Sequence, residues 1–517
     1  MKKPDDLEWW QTGVVYQVYP RSFADSNGDG VGDIPGATAH LGHLRDLGVD
    51  AVWFSPFFRS PMADFGYDVS DHCDIDPLFG TLADADRMTE TAHMMGLKVV
   101  LDFVPNHTSD HHPWFINSRA SRTASKRDWY VWRDPAPDGG PPTDWQAAFG
   151  DYPAWTFDPT TDQYYLHLFL PDQPDLDWNN PQVADAMTDV MRFWSDRGVD
   201  GFRMDVVHTV GKRLDVDTPS DLVGLPACIL DHGPGVHERL RELRAATDRF
   251  GTPPVLIGET FVFERERVVE FLGLGDEIHL GFNIPAVGTP WAAENWAREI
   301  TSAIDLYEPV GGWPCWVLSN HDVGRHRTRY GTEARARSAA VLLLSRWGTP
   351  ILYQGEELGI EDAVVPEERV VDPGGRDGCR APIPWTDEPG RGWPSDPWLP
   401  FPPDSAELSV SRQTGDPTSM LEHYRRLLEL RRRTPALHAG RMALLDAPEG
   451  VLRFRRWLDG ADGAEGAPIE VLVNFTSEEV AVDAASGTWI GGTAAPGAPP
   501  GPGSALGPDE ARIISLA

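Results

Sequence analysis

The chain has 517 residues, 24% of them charged, and a net charge of −34, which describes a soluble protein with more than one structural unit. A surface this negative repels phosphates and anionic lipids, so nucleic acids and membranes are excluded as partners and neutral substrates are favoured. No apolar segment follows the first residues and no run of about 18 apolar residues occurs, so neither export nor a membrane anchor is predicted. Four scattered cysteines without metal-binding spacing are expected as reduced thiols in the cytoplasm.

Eight short apolar runs, rich in Val, Ile, Leu and aromatic residues, are typical of strands. They cover 14–20, 50–56, 97–104, 199–206, 254–259, 277–283, 315–322 and 350–357. Amphipathic segments typical of helices lie between most of them, for example 40–48, 83–96, 182–198 and 334–348. This alternation predicts the α/β class, a (β/α)8 TIM barrel, because a full set of eight favours closure over an open sheet.

A long insertion separates the third strand from the fourth. Residues 107–172 are rich in Trp, Asp, Pro and Tyr, lack a helical period, and have the length of a lid or small subdomain. The last barrel helix is predicted at 418–437, and strand-like runs follow it. We therefore expect three domains. They are a catalytic barrel over 1–106 and 173–437, an inserted subdomain over the active site at 107–172, and a C-terminal antiparallel β-sandwich at 438–517.

Acidic residues stand at the carboxyl ends of three predicted strands: Asp205 in GVDGFRMDV, Glu259 in PVLIGET and Asp322 in WVLSNHD. Parallel barrel strands point their carboxyl ends into one mouth, so these side chains are expected to meet around one substrate atom. Cleavage of an acetal needs a carboxylate beneath the anomeric carbon and a proton for the departing oxygen. The three acids together indicate a glycosidase.

Five short motifs surround these acids in a fixed order. They are DFVPNH at 102–107, QPDLD at 173–177, GFRMDV at 201–206, GET at 258–260 and SNHD at 319–322. On these motifs the sequence resembles the α-amylase superfamily, glycoside hydrolase family 13, and within it the α-glucosidase and oligo-1,6-glucosidase branch. QPDLD is similar to the QPDLN of the oligo-1,6-glucosidase group, with Asp177 in place of Asn.

The resemblance implies a role for each acid. Asp205 corresponds to the nucleophile, Glu259 to the general acid and base that must hold a proton near neutral pH, and Asp322 to the carboxylate that stabilises the transition state. Arg203 points to the same side of its strand as Asp205 and is expected to keep it ionised. For any one motif alone, a helix cap or a structural ion pair is the simpler interpretation.

The resemblance also implies a pocket for one glucose unit. Its expected members are two histidines that hydrogen-bond sugar hydroxyls, a stacking tyrosine, a sugar-gripping aspartate, an arginine that pairs with this aspartate, and an apolar wall. In that order they are His107 and His321, Tyr67, Asp68, Arg380 and Phe149. For Phe149, core packing is the alternative. Such a blind pocket implies release of single glucose units from a non-reducing end, with Asp102 and Asn106 supporting the site.

The run DSNGDGVGD at 25–33 has the opening of a calcium loop. An EF-hand needs a glutamate at the last loop position, where this chain has Gly36. The resemblance implies a different, structural Ca²⁺ site, formed by the side chains of Asp25, Asn27, Asp29 and Asp33 and the carbonyl of Val31. A metal-free turn is the alternative, and catalysis itself needs no cofactor.

The linkage is the least determined property. Retention is expected if the carboxyl groups of Asp205 and Glu259 lie about 5 to 5.5 Å apart. Val206 is associated within the family with α-1,6 cleavage, whereas Thr260 does not match the Met of strict oligo-1,6-glucosidases. We expect an exo-acting α-1,4 glucosidase acting on short neutral α-gluco-oligosaccharides or disaccharides.

The alternatives are an oligo-1,6-glucosidase and a transglucosylase or sucrose- or maltose-acting isomerase on the same scaffold. A non-catalytic transporter subunit is disfavoured, because the chain keeps all three acids and lacks a membrane helix.

Overall fold

The fold is built around eight parallel strands. The computed structural model describes residues 6–148, 152–212, 235–262, 264–372, 374–459, 467–483, 487–494 and 505–516. Barrel strands 1 to 8 are Val15–Val18, Ala51–Phe54, Lys98–Phe103, Gly201–Met204, Val255–Gly258, Leu280–Gly281, Cys315–Val317 and Thr349–Tyr353. Each of strands 1 to 6 pairs with its neighbour in sequence, and strand 8 pairs with strands 1 and 7. A parallel bridge between Phe282 and Cys315 joins strand 6 to strand 7, which closes the ring and confirms the predicted barrel.

Helices surround the strands and follow the predicted alternation, with different ends. The α-helices are Trp9–Thr12, Ile34–Leu47, Leu82–Met94, Pro113–Ala120, Pro181–Ser195, Gly235–Thr247, Arg265–Val268, Ile284–Val287, Ala293–Tyr307, His326–Tyr330, Glu333–Ser345, Val410–Gln413, Met420–Arg433 and Pro435–His438. The helix predicted at 40–48 begins at Ile34, because Asp33 caps it by accepting a hydrogen bond from the Gly36 N–H. The helix predicted at 418–437 is broken after Arg433, because a residue that precedes a proline, here Thr434, avoids the helical region.

The inserted segment contains more regular structure than its sequence indicated. It holds a three-stranded antiparallel sheet and the helix Pro113–Ala120. The strands are Trp132–Arg133, Trp155–Asp158 and Gln163–Leu166. Eight residues are too few to display a helical period, but the start signal was present: His112 caps the Trp114 N–H and Pro113 occupies the first turn. A further two-stranded ribbon, Phe58–Arg59 with Asp71–Ile75, follows barrel strand 2.

The C-terminal part is a five-stranded antiparallel sheet, as the fold-class prediction requires. Its strands are Arg441–Leu444, Val451–Trp457, Ile469–Asn474, Thr488–Gly492 and Ala511–Ser515. The central strand Ile469–Asn474 is buried throughout: Val471 and Val473 join the main core, while Leu472 joins a separate apolar cluster. Alternating side chains of one strand therefore pack into two different apolar layers.

Candidate active site

Three carboxylates converge on one arginine at the carboxyl ends of barrel strands 3, 4 and 5. Arg203 Nη1 donates hydrogen bonds to Asp102 at 2.9 Å and to Asp205 at 2.8 Å. Arg203 Nη2 lies 2.8 Å from Glu259 Oε2. Parallel pairing of strand 4 with strands 3 and 5 puts Arg203 level with Asp102 and Ile257, so the strand ends bring the acids together. Asp205 and Glu259, predicted from different motifs, therefore share one guanidinium group.

The carboxyl group of Glu259 is held by one of its two oxygens. Oε2 accepts a hydrogen bond of 3.0 Å from the Val206 N–H and also faces Arg203. Val206 has φ 35° and ψ 45°, a left-handed conformation that β-branched residues rarely adopt, and this conformation aims its N–H at Glu259. The Val206 N–H and the Arg203 guanidinium both face Oε2, which leaves Oε1 as the oxygen without these contacts.

Two other arginines hold Asp322. Its Oδ1 accepts hydrogen bonds from Arg376 at 2.9 Å and from Arg380 at 3.1 Å, and His321 Nε2 lies 3.2 Å from Oδ2. Burial raises the pKa of Asp322, but His321 and the two arginines lower it by more than burial raises it. The net pKa of Asp322 is therefore below the usual value. Asp322 is therefore ionised in the free site.

The electrostatics of Asp205 differ from the sequence expectation that Arg203 keeps it ionised. Burial, together with the charges of Glu259 and Asp102, raises the pKa of Asp205 well above its usual value, and Arg203 offsets this only in part. Burial likewise raises the pKa of Asp102 to about 6. One guanidinium cannot neutralise these buried carboxylates, so Asp102 and Asp205 do not titrate independently of each other.

His107, His321 and Tyr67 lie together beside this cluster. The Tyr67 hydroxyl lies 2.6 Å from His321 Nε2 and donates a hydrogen bond of 3.2 Å to Asp102. His107 Nε2 lies 3.1 Å from the side-chain amide of Gln173, the first residue of QPDLD. Burial lowers the pKa of His107 and of His321 to about 3, so both imidazoles are neutral near pH 7.

The predicted pair of Asp68 with Arg380 is wrong. The carboxylate of Asp68 accepts hydrogen bonds from Ser60 Oγ and from the N–H groups of Ala63 and Asp64, and the residue is fully buried. Arg380 instead contacts Asp322, the His321 carbonyl and, at 3.5 Å, Asp372. Positive φ angles at Phe65 and Gly66 reverse the chain between Asp64 and Asp68. The hydrogen bonds of the Asp68 carboxylate stabilise this turn.

Asp64 and Arg376, which sequence reasoning missed, form the ion pair that Asp68 and Arg380 were expected to form. Arg376 Nη2 donates to Asp64 at 2.9 Å while its Nη1 donates to Asp322, and Gln173 donates to the other oxygen of Asp64 at 3.2 Å. Asp372 fixes the Arg376 side chain from behind. Asp64 and Asp68 are four residues apart in the sequence, as are Arg376 and Arg380, and only the folded turn selects which two residues pair.

One predicted pocket residue lies outside the described residues, and the two residues that were associated with linkage have different surroundings. Phe149, the predicted apolar wall, lies outside the described residues. Thr260 is fully buried and its hydroxyl donates to the Phe282 carbonyl at 3.2 Å. The side chain of Val206 is partly buried against an apolar cluster of the inserted segment that includes Val131 and Trp145.

The predicted calcium loop is a succession of side-chain-capped turns. Asp25 accepts hydrogen bonds from the N–H groups of Asn27, Gly28 and Gly30, Asn27 accepts from Asp29, and Asp29 accepts from Val31. Asp33 is occupied by Ser26 and by its helix cap. Within the described ranges, no three acidic, His or Cys side chains are arranged to hold a metal ion. These contacts match the metal-free alternative, and calcium stays a prediction.

A cavity of about 940 Å³ lies at the opposite, amino-terminal end of the strands, with Trp10, Trp313 and Trp347 among its lining residues. None of the three predicted catalytic acids lines it. Barrel chemistry takes place at the carboxyl ends of the strands, so the clustered carboxylates, and not this cavity, mark the candidate active site.

Comparison with known proteins agrees with this geometry. Residues 17–440 match the family described as "Alpha amylase, catalytic domain". A probable alpha-glucosidase of Rhizobium meliloti (strain 1021) is 42% identical over 486 residues, 87% of each chain. An oligo-1,6-glucosidase of Parageobacillus thermoglucosidasius is 36% identical over 520 residues, 91% of each chain.

Solved structures are similar over nearly the whole chain. The alpha-glucosyl transfer enzyme XgtA is 40% identical with a TM-score of 0.89, covering 98% of this chain and 100% of that one. The trehalulose synthase MutB from Pseudomonas mesoacidophila MX-45 is 31% identical with a TM-score of 0.91, covering 98% and 99%. In the part of the chain that the structure describes, no helix is long and apolar enough to cross a membrane.

Proposed function

This chain belongs to the alpha-amylase family of glycoside hydrolases, and we propose that it is a retaining, exo-acting α-glucosidase that cleaves α-1,4 bonds of short oligosaccharides. The observation that carries this proposal is the convergence of Asp205 and Glu259 on Arg203, beside Asp322. These are the groups that a two-step acetal cleavage requires.

The chemistry follows from the positions of the groups. Asp205 attacks the anomeric carbon, the bond to the leaving oxygen breaks, and Glu259 gives its Oε1 proton to that oxygen. The ionised Glu259 then takes a proton from water, which attacks the anomeric carbon and frees Asp205. Two inversions give α-glucose from an α-glucoside. The charge of Asp322 favours the positive transition state and binds sugar hydroxyls.

Exo action is supported by a hydrogen-bonded network beside Asp322. Arg376 joins Asp64 to Asp322, and Gln173 joins Asp64 to His107. We expect this network to block the site beyond one terminal glucose. Neutral substrates fit the net charge of −34, because an anionic substrate would be repelled.

Transglucosylation is a second candidate, in which another sugar or alcohol takes the place of water. It is favoured by the similarity to an alpha-glucosyl transfer enzyme and to a trehalulose synthase. Cleavage of α-1,6 bonds is favoured by the oligo-1,6-glucosidase relatives. The Thr260 hydroxyl, which is bonded to the Phe282 carbonyl, gives no independent support to either linkage. We further infer a cytoplasmic location from the four scattered cysteines.

Proton NMR of the purified protein with maltose and with isomaltose tests the proposal. We expect faster initial release from maltose, with the α-anomer of glucose appearing first. Asp205→Asn removes the nucleophile and is expected to lower kcat by about 10⁴-fold. β-Glucose appearing first overturns the retaining mechanism, and faster release from isomaltose makes the protein an oligo-1,6-glucosidase. Disaccharide products at high sugar concentration identify transglucosylation.

A further inference from the structure

Two tyrosine rings lie nearly parallel to the imidazole of His321. The Tyr67 ring is 5.4 Å from it at an interplanar angle of 3°, and the Tyr19 ring is 5.7 Å from it at 18°. Tyr67 meets the imidazole at its edge, through a hydroxyl 2.6 Å from Nε2, whereas the Tyr19 ring lies at a distance typical of aromatic pairs. Tyr67 was expected near the catalytic acids from the family resemblance, whereas Tyr19, which follows barrel strand 1, was not.

Barrel strand 1 also supplies the hydrogen bond that sets the rotation of this imidazole. The side-chain amide nitrogen of Gln17, which is fully buried, lies 2.8 Å from His321 Nδ1 and 3.0 Å from Ser55 Oγ. Stacking alone leaves a ring free to rotate in its plane. Gln17 fixes that rotation, so Nε2 faces Asp322 at 3.2 Å and the Tyr67 hydroxyl at 2.6 Å.

The ring of Tyr19, not its hydroxyl, makes these contacts. The hydroxyl oxygen has no hydrogen-bond partner among the described residues, although the side chain is almost fully buried. The ring is also covered by the Arg380 guanidinium, centred 5.4 Å away, and Arg380 itself donates to Asp322 and to the His321 carbonyl. Tyr19 thus packs against both residues that orient Asp322 from this side.

We propose that Tyr19 and Gln17 are positioning residues of the active site, which act on catalysis through His321. This inference rests on the proposed glucosidase function. Tyr19 holds the plane of the imidazole and Gln17 holds its rotation, so that Nε2 meets Asp322 and the sugar hydroxyls in the transition state. Neither residue needs to touch the substrate.

A double-mutant cycle on kcat/KM for maltose tests this proposal. Tyr19→Leu is expected to lower kcat/KM by about 10- to 100-fold, because small misplacements of a catalytic group have effects of this size. In the His321→Ala background the same change is expected to cost several-fold less, because residues that act through one another are not additive and only the contact of Tyr19 with Arg380 remains. Tyr19→Phe, which keeps the ring, is expected to recover most of the lost rate.

Matched variants separate positioning from loss of packing. Tyr307, equally buried at the end of the helix Ala293–Tyr307, is the control. Tyr307→Leu should lower Tm, and its effect on kcat/KM should be the same in the wild-type and His321→Ala backgrounds. Gln17→Leu, nearly unchanged in volume, should repeat the Tyr19→Leu result and serves if that variant does not fold.

Equal fold losses from Tyr19→Leu and Gln17→Leu in the wild-type and His321→Ala backgrounds overturn the proposal. The wild-type rate on maltose is measured first. Its absence refutes the proposed function, whereas an additive cycle in an active enzyme refutes only the positioning roles.

Discussion

At the residue scale, the site contains few arginines and many carboxylates, so that each arginine contacts several acids. Arg203 forms ion pairs with Asp102, Asp205 and Glu259. Arg376 forms ion pairs with Asp64, Asp322 and Asp372. A carboxylate's role therefore depends on which arginine it faces. Asp68 faces neither, and its hydrogen bonds are all local.

Replacing Asp64 and Asp68 one at a time by alanine separates their roles. Asp64→Ala removes a charged pocket group and is expected to lower kcat/KM for maltose by about 10- to 100-fold, the value of a hydrogen bond to a charged group. Asp68→Ala leaves three local donors unpaired and is expected to lower the free energy of unfolding by about 1 to 3 kcal/mol. Steady-state kinetics and urea unfolding measure the two effects. The opposite pattern, with Asp68→Ala showing the larger kinetic loss at unchanged stability, would restore the sequence-based assignment.

Glu356 is buried and lies three residues after the end of barrel strand 8. It makes a pH-dependent contribution to the free energy of unfolding. Burial raises its pKa from 4.5 to about 8. A carboxyl with a raised folded-state pKa resists ionisation in the folded protein, so its contribution is complete below pH 4.5 and is lost as the pH rises towards 8. Glu356→Gln is expected to flatten this decline, most visibly between pH 6 and 8, since Asp102 and Asp175 lose their contributions near pH 6.

Urea unfolding at a series of pH values measures this effect. The exposed Glu449 supplies the control, and Glu449→Gln should leave the wild-type profile unchanged. A parallel profile for wild type and Glu356→Gln would show that Glu356 is not the titrating group.

At the element scale, the loop 25–33 and the helix that follows it share Asp33. As the cap of Ile34–Leu47, Asp33 stabilises the helix without any metal. Asp29, by contrast, is bonded only to the Val31 N–H in the contacts described above. The two aspartates thus separate a helix-capping role from a calcium-binding role.

Calcium dependence of Tm distinguishes these roles. If calcium binds as the resemblance implies, excess Ca²⁺ raises the wild-type Tm over that in EDTA, and Asp29→Ala abolishes the difference. Asp33→Ala is expected to cost about 1 kcal/mol even in EDTA, because the cap is lost. An identical wild-type Tm in Ca²⁺ and EDTA refutes the calcium prediction and leaves the capped turns as the structure of this loop.

At the scale of the whole molecule, the net charge of −34 affects the stability of the folded protein. Like charges at close range disfavour the compact chain, and salt screens them over about 8 to 10 Å. The Tm is therefore expected to rise between 10 mM and 0.5 M NaCl. KCl at equal ionic strength is the control for screening, because a specific sodium effect would not be reproduced. A Tm that is flat or falls with salt would show that the surface repulsion is already balanced by local ion pairs.

Sequence by itself determined the barrel, because eight apolar runs alternating with amphipathic segments have few other ways to bury their faces. It also determined the three acids, because strand ends of one barrel necessarily share a mouth. Residues 107–172 were identified as an insertion, but the helix Pro113–Ala120 was too short for a period to reveal.

Tertiary structure alone decided contacts between residues far apart in sequence. It paired Asp64 and not Asp68 with Arg376 and not Arg380, because that choice depends on a turn with positive φ at Phe65 and on a distant arginine. It showed that Arg203 is shared by three acids, so that its lowering effect on the pKa of Asp205 is outweighed by burial and by the neighbouring carboxylates. It also brought Tyr19 and Gln17 of strand 1 onto His321 after strand 7. Local patterns record burial and period, whereas burial of a charge and its partners exist only once the chain has closed on itself.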